Sequence, residues 1–235
     1  MMSSKTTAIV LAAGQGKRMN TPVAKQFLEL KGKPVLYYSL KAFEESVIDE
    51  IVLVCSRSQI DYCREHIVNH YGFKKVRSVI EGGRERYESV YQSLAAIDRT
   101  DYVLIHDGAR PFISSSLINQ VVKLVRDSKA CLVATPVKDT IKIVNQDGRI
   151  QETPDRNTLW SAQTPQAFEY SSIKKAYELL YSKDKDIRQR FTDDAMVYEK
   201  LINKPISIVE GDYTNIKLTT SEDYVLASIL ADKLF

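Results

Sequence analysis

Residues Thr7-Ala8-Ile9-Val10-Leu11 form an unbroken apolar run, and Ala12-Ala13-Gly14-Gln15-Gly16 follows it at once. A short apolar run closed by glycines predicts a strand buried on both faces. The same grammar recurs downstream at Ile51-Val52-Leu53-Val54-Cys55, Val76 to Ile80, Tyr102-Val103-Leu104-Ile105 and Cys131 to Thr135. Between these runs lie segments of helical spacing: Pro34 to about Glu45, Ile60-Cys63-Ile67-Val68, Arg84 to Ile97, and Leu117-Val121-Leu124-Val125. Strands that alternate with helices imply right-handed crossovers and a mostly parallel sheet.

The fold class is therefore α/β: a Rossmann-like, mostly parallel sheet flanked by helices. With 235 residues, the chain fits one such domain, 1–235, better than two. The stretch of about 138–156 breaks the rhythm. Thr140-Ile141-Lys142-Ile143-Val144 alternates, Asn145-Gln146-Asp147-Gly148 reads as a turn, and Arg149-Ile150-Gln151 alternates again. That is a β-hairpin by its Asp-Gly signal. An isolated hairpin is marginal, so this protruding arm needs something to pack on, and a partner subunit is one option. Helices are expected near Ser172–Tyr181, Asp193–Leu201 and Ser221–Leu234, with a strand at Ile206 to Glu210.

Bulk properties narrow the function. The net charge of +3 comes from 33 basic and 30 acidic residues, a balance that argues against a general nucleic-acid or membrane-surface binder. No apolar run is long enough to span a bilayer, and Met1 to Lys5 lacks the apolar core of a signal peptide. Cys55, Cys63 and Cys131 are odd in number and form no CxxC pair, so neither a disulfide framework nor a zinc site is expected. Cys55 and Cys131 read as small buried hydrophobes. Reduced thiols and no leader place the protein in the cytoplasm.

In parallel α/β sheets, ligands bind outside the carboxyl ends of the strands. Three loops lie there. The first is Ala12-Ala13-Gly14-Gln15-Gly16-Lys17-Arg18-Met19, followed by Lys25-Gln26. Glycines at a strand end let backbone N–H groups approach phosphate oxygens, and Lys17, Arg18 and Lys25 add positive charge. The glycine spacing fits neither a P-loop nor a dinucleotide fingerprint, since Met19 stands where the third glycine belongs. The second loop is Glu81-Gly82-Gly83-Arg84-Glu85-Arg86, leading into Ser89; its bare backbone could line a base pocket, or simply turn the chain. The third, His106-Asp107-Gly108-Ala109-Arg110-Pro111, puts a carboxylate at a strand tip. Asp107 there is either a Mg²⁺ ligand or a turn residue. Arg110 either pairs with Asp107 or contacts a second phosphate. His106 and Trp160 read as structural, and Thr192-Asp193-Asp194 as a helix N-cap. With three histidines and no Ser–His–Asp order, positioning and cationic stabilisation are the mechanism left.

Read in order, the pieces are Ala12-Ala13-Gly14-x-Gly16-x-Arg18-Met19, Lys25-Gln26, Gly82-Gly83-x-Glu85-Arg86-x-x-Ser89-Val90 and His106-Asp107-x-Ala109-Arg110-Pro111. Then come Pro136-Val137-x-Asp139-Thr140, Asp155-Arg156-Asn157-x-Leu159-Trp160, Gln163-Thr164-Pro165-Gln166-x-Phe168 and Asn215-Ile216-Lys217-x-Thr219. This set, which spans nearly the whole chain, resembles the cytidylyltransferases of the non-mevalonate isoprenoid pathway that act on 2-C-methyl-D-erythritol 4-phosphate. One departure is Ala24, where that family usually has proline before the Lys-Gln pair.

The resemblance implies an enzyme that transfers CMP from CTP to the sugar-alcohol phosphate and releases pyrophosphate. It implies Arg18, Lys25 and Lys217 as catalytic cations. It places CTP against Ala12, Ala13, Gly14, Gly16, Arg18, Lys25, Gly83, Ser89, Asp107 and Ala109, and gives Asp107 the Mg²⁺ or another divalent cation. It assigns the acceptor phosphate to Arg110, Thr140, Arg156, Thr164 and Lys217. It also implies a homodimer whose hairpin arms clasp the partner, with Arg156 reaching the partner's substrate. Two alternatives stand beside it: a ribitol 5-phosphate cytidylyltransferase of cell-wall (teichoic acid) synthesis, and a non-catalytic nucleotide-binding module on the same fold.

Overall fold

The computed structural model describes residues 4–14 and 24–235. In chain order its elements begin with β1 (Thr6–Ala12), the small hairpin β2 (Glu29–Leu30) and β3 (Lys33–Pro34), α1 (Val35–Glu44) and β4 (Glu50–Cys55). There follow α2 (Ile60–Tyr62, continued as a π-helical stretch Cys63–Asn69), β5 (Val76–Glu81), α3 (Arg86–Ala96) and β6 (Tyr102–Asp107). Next are α4 (Ser115–Ser128), β7 (Ala130–Pro136), the arm strands β8 (Ile143–Val144) and β9 (Ile150–Glu152), and β10 (Trp160–Glu169). The chain ends with α5 (Tyr170–Tyr181), α6 (Lys185–Arg188), α7 (Asp194–Ile202), β11 (Ser207–Glu210) and α8 (Ser221–Leu234).

Seven strands form the central sheet in the order β11-β7-β10-β6-β1-β4-β5. All neighbours are parallel except β10, which runs antiparallel to both β6 and β7. The strand β1, buried except at the half-buried Leu11, feeds both faces of the sheet. Ala8 and Val10 pack into one cluster with Leu36, Leu40 and Val121, while Ile9 joins another with Val90, Ile173 and Tyr198. This two-sided burial is why the strands read as continuous apolar runs with no alternation. A third, smaller cluster joins α8 to the β2–β3 hairpin through Leu30, Tyr38, Leu218, Ala227 and Ala231.

Several helices start where side chains satisfy their first N–H groups. Ser114 caps α4 by accepting from the Leu117 N–H. Glu85 and Glu88 cap α3 reciprocally, and Thr220 and Asp223 do the same for α8.

The expected β strands and helices are present, but β10 was not expected. Pro165, Gln163 and Gln166 interrupt its apolar pattern, and a proline inside a run argues against a central strand. Its pairing with β7 shifts register between Ala162 and Gln166, which accommodates that interruption. Trp160, expected in the core, is 38% exposed at the start of this strand. All three cysteines are buried with free thiols.

The arm forms as expected. Ile143 pairs with Glu152 and Val144 with Ile150. Gly148 turns at φ +76, and its N–H bonds the Asn145 carbonyl. Ile143, Val144 and Ile150 are all exposed, so the arm has no core of its own.

Candidate active site

Register brings the three loops together. Leu11 lies opposite Asp107, Ala12 opposite Cys55, and Cys55 opposite Glu81. The carboxyl ends of β1, β4, β5 and β6 therefore finish at one level, and a cleft of about 790 Å³ opens above them. Of the residues singled out from sequence, Ala12, Ala13, Gly14, Lys25, Gly83, Ser89, Asp107, Ala109 and Lys217 line it. Gly16 and Arg18 lie outside the described residues.

Two close approaches explain glycines in the wall. A Cβ on Gly82 would fall 2.6 Å from the Ala13 Cβ and 2.8 Å from the Ser89 Oγ. On Gly83 it would collide with Glu88. The Gly82-Gly83 loop thus packs directly on the loop after β1, and only glycine permits it. Lys25 is fixed from its neighbour: the Gln26 amide, buried, donates to the Ala12 carbonyl at 2.6 Å. This pins the 3₁₀ turn Lys25–Phe27 to the end of β1.

Asp107 is the charge centre. Lys217 Nζ approaches its Oδ2 at 2.8 Å, Arg86 Nε its Oδ1 at 3.3 Å, and Arg110 Nε its Oδ2 at 3.9 Å. Burial would push this carboxyl up, but Arg86, Lys217 and Arg110 together hold it far below the usual carboxylate range. The group is ionised at any working pH. Behind it, the Thr164 hydroxyl accepts from the Asp107 N–H at 3.1 Å and meets His106 Nδ1 at 3.1 Å. His106 is fully buried, which lowers its pKa to about 4. It is therefore neutral, and its Nε2 faces the Arg110 carbonyl at 3.4 Å. The consistent assignment has Nε2–H donating to that carbonyl and Nδ1 accepting the Thr164 proton. His106 is structural, as the sequence suggests.

Arg86 is a site residue to which the sequence alone assigns no role. Its guanidinium bonds Asp194 at 2.8 and 2.7 Å in a two-pronged pair while reaching Asp107. Burial disfavours its charge, yet Asp194 and Asp107 outweigh that and keep it protonated. Asp194 is fully buried and also accepts from the Tyr177 hydroxyl. Asp193, by contrast, is the N-cap of α7, accepting from the Met196 N–H at 2.8 Å. Of two adjacent aspartates, one caps and one anchors the site's arginine. The signal that could have separated them is the capping spacing from Asp193 to Met196, which leaves Asp194 over.

The acceptor candidates divide. Lys217 is in the cleft, carried by a segment tied down at both sides. Asn215 donates to Gln163 and to the Thr164 carbonyl at 3.0 Å each, and the Leu218 N–H bonds the Ala109 carbonyl at 2.9 Å. Arg110 points its Nη1 at the Asn215 carbonyl, 2.7 Å away. Thr164 lies beneath Asp107 and is buried. Thr140 and Arg156 are exposed at the arm, and Arg156 braces its base through the Lys138 carbonyl at 2.9 Å.

Among the described residues, no group of three His, Cys, Asp or Glu side chains gathers in metal-binding array. Of the carboxylates lining the cleft, Glu81, Glu85 and Asp107, a divalent cation at the junction of the loops would use Asp107, with the rest of its shell left to a ligand's phosphates and water. That donor set suits Mg²⁺, which keeps several waters and takes one or two carboxylates beside substrate phosphates. No helix among the described residues is long and apolar enough to cross a membrane.

The chain is similar to known proteins over almost its full length. A family model described as 2-C-methyl-D-erythritol 4-phosphate cytidylyltransferase matches residues 6–233. A protein of that name from Lachnoclostridium phytofermentans is 53% identical over 226 residues, covering 96% of each chain. One from Lachnospira eligens is 50% identical over 224 residues, covering 95% of this chain and 97% of its own. The crystal structure of 4-diphosphocytidyl-2C-methyl-D-erythritol synthase from Anaerococcus prevotii aligns with a TM-score of 0.86 at 34% identity, covering 97% and 96%.

Proposed function

The chain belongs to the 2-C-methyl-D-erythritol 4-phosphate cytidylyltransferase family, and from that premise we propose the work of each residue in its cleft. The reaction transfers CMP from CTP to 2-C-methyl-D-erythritol 4-phosphate, gives 4-diphosphocytidyl-2-C-methyl-D-erythritol and releases pyrophosphate, a step of isoprenoid-precursor synthesis.

The observation that carries the site reading is the junction at Asp107, where loops from β1, β5 and β6 meet the Lys217 segment. The acceptor's phosphate is the nucleophile. It is already ionised near neutral pH, so the site needs no general base. One of its oxygens attacks the α-phosphorus of CTP as the bond to the bridging oxygen breaks, and the electron pair leaves on pyrophosphate. Negative charge collects on the α-phosphate oxygens, so catalysis is orientation plus cationic stabilisation. Lys25 and Arg18 supply that charge from the loop after β1. Lys217 orients the incoming phosphate, and Arg110 supports it through the Asn215 carbonyl. Ala12, Ala13, Gly14, Gly83, Ser89 and Ala109 form the nucleotide's walls. Asp107 would hold the divalent cation, which when bound supplies charge neutralisation to the phosphate oxygens.

Two copies of the chain form a homodimer through the arms, and Thr140 and Arg156 serve the acceptor site of the partner. What supports this is the arm's row of exposed apolar side chains, with no described core to cover them. A cytoplasmic location fits the reduced cysteines.

The test is to incubate purified protein with CTP and either 2-C-methyl-D-erythritol 4-phosphate or ribitol 5-phosphate, and to follow pyrophosphate. Release with the first acceptor is expected. Release with ribitol phosphate alone would overturn the acceptor, and saturable CTP binding without release from either would leave a nucleotide-binding module.

A further inference from the structure

Among the described residues the cleft's lysines are Lys25 and Lys217, which come from opposite ends of the chain, and neither stands on the central sheet. Lys25 rides on a 3₁₀ turn that runs straight into the β2–β3 hairpin. Lys217 rides on the segment between β11 and α8. Each segment is pinned to the sheet and its loops, the Lys25 turn through Gln26 and the Lys217 segment through Asn215 and Leu218, and α8 ties the two segments directly to each other.

At its start, α8 is locked to the Lys217 segment. The Thr219 N–H donates to the Asp223 carboxylate at 2.7 Å, and the Thr219 hydroxyl bonds the same oxygen. One residue on, the Tyr224 hydroxyl donates to the Glu29 carbonyl at 2.6 Å, across 195 residues of sequence. Glu29 is four residues from Lys25. Further along, Lys31 pairs with Asp232 at 2.7 Å. Phe235 stacks on Tyr38 with centroids 4.2 Å apart, and Tyr38 in turn holds the Leu30 carbonyl at 2.6 Å. Leu30, Ala227, Ala231 and Leu218 share one buried cluster, with Leu28, Ile216 and Tyr224 packed on it.

We propose that Tyr224 is a positioning residue for the transfer: from α8 it fixes the turn bearing Lys25 against the segment bearing Lys217. The tyrosine touches neither nucleotide nor acceptor. Its ring packs on the cluster shared by Leu30 and Leu218, and its hydroxyl bonds the backbone of Glu29 at the start of the hairpin. The Lys31–Asp232 pair and the buried cluster keep the rest of the hairpin on α8, so losing that bond loosens only the Glu29 end, which is the end next to Lys25, and displacements well under 1 Å matter where charge must meet a reacting phosphate. The inference rests on the role given to Lys25 above.

The experiment compares wild type, Tyr224→Phe, Lys25→Ala and the double variant in pyrophosphate release, with thermal unfolding alongside. Tyr224→Phe keeps the ring and removes only the hydroxyl. It is expected to lower kcat roughly 3- to 10-fold, the range one hydrogen bond spans, with KM for CTP unchanged. In the Lys25→Ala background the same substitution should cost nothing further, because the group it positions is gone. A merely structural tyrosine would give the same loss in both backgrounds, and that result overturns the proposal. So does an unchanged kcat for Tyr224→Phe when Lys25→Ala is impaired. Wild-type turnover by Lys25→Ala would instead refute the Lys25 assignment and this inference with it.

Discussion

Replacing Asp194 by asparagine keeps its shape and removes its charge. In the native protein the Arg86 guanidinium spends two N–H groups on Asp194, at 2.8 and 2.7 Å, and a third on Asp107 at 3.3 Å. Asp194 is fully buried, so the pair has little solvent to fall back on. Removing one partner of a buried pair costs about 3–5 kcal/mol when the remaining charge is left uncompensated, and here Asp107 at 3.3 Å holds the cost to the lower part of that range. In a protein of this size each kcal/mol moves the melting temperature by about 2–4 °C. The variant should therefore melt about 10 °C lower. Arg86 would also lose its outer anchor and turn wholly to Asp107, competing there with Lys217. Turnover should fall between about 10- and 100-fold, the scale of a misplaced catalytic group. Asp193→Asn is the matched control. Asparagine caps as well as aspartate, but one residue cannot easily serve both Met196 N–H and the Gln166 amide, which donates at 2.9 Å. That variant should lose about 1 kcal/mol and keep its activity. Thermal unfolding and steady-state kinetics on both variants decide the matter. A melting temperature for Asp194→Asn within about 2 °C of wild type, or a larger effect at Asp193, would show that the Asp194 carboxylate is not the anchor of Arg86.

Three other outcomes follow from the same geometry. His106 has its pKa lowered by burial to about 4 from an ordinary 6.5, so the unfolded chain binds its proton more readily. Its contribution is complete above pH 6.5 and is lost as pH falls towards 4, a change of about 3 kcal/mol; denaturant titrations in metal-free buffer should show His106→Asn with a flatter slope across that window. Asp107, whose pKa is depressed, keeps its contribution throughout that window and loses it only in strong acid. Gly82→Ala forces a methyl against Ala13 and Ser89, which should destabilise by about 1–3 kcal/mol and weaken CTP binding in calorimetry, while unchanged affinity would argue that the wall is not the nucleotide's. Ile143→Asp with Ile150→Asp should shift sedimentation from dimer to monomer without lowering the melting temperature of the chain's own core, because both side chains are exposed in the single chain; a dimer that survives would place the interface elsewhere.

What the sequence made legible is local, and what it hid is long-range. A strand buried on both faces announces itself in five residues, so β1, β4, β5, β6 and β7 could be placed, and the loops at their tips followed from the direction of a parallel sheet. Asp107 was readable for the same reason: it ends β6. The strand β10 was not, and its polar residues explain why. Gln166 is 1% exposed, yet it is polar because its amide bonds Asp193 while its carbonyl takes the Ala195 N–H at 2.8 Å. Gln163 is buried because it meets Asn215 and the Asp212 carbonyl. Each glutamine ties the strand to a loop some 27 to 52 residues away, and no window of sequence contains both ends of such a bond. The Arg86–Asp194 pair spans 108 residues and hides in the same way. These hidden bonds are also what the site stands on. Gln163 anchors the segment that presents Lys217, Gln166 anchors the start of α7 that presents Asp194, and Asp194 presents Arg86 to Asp107. The polar interruptions that disguised β10 as a loop are therefore the struts between the sheet and the charges in its cleft.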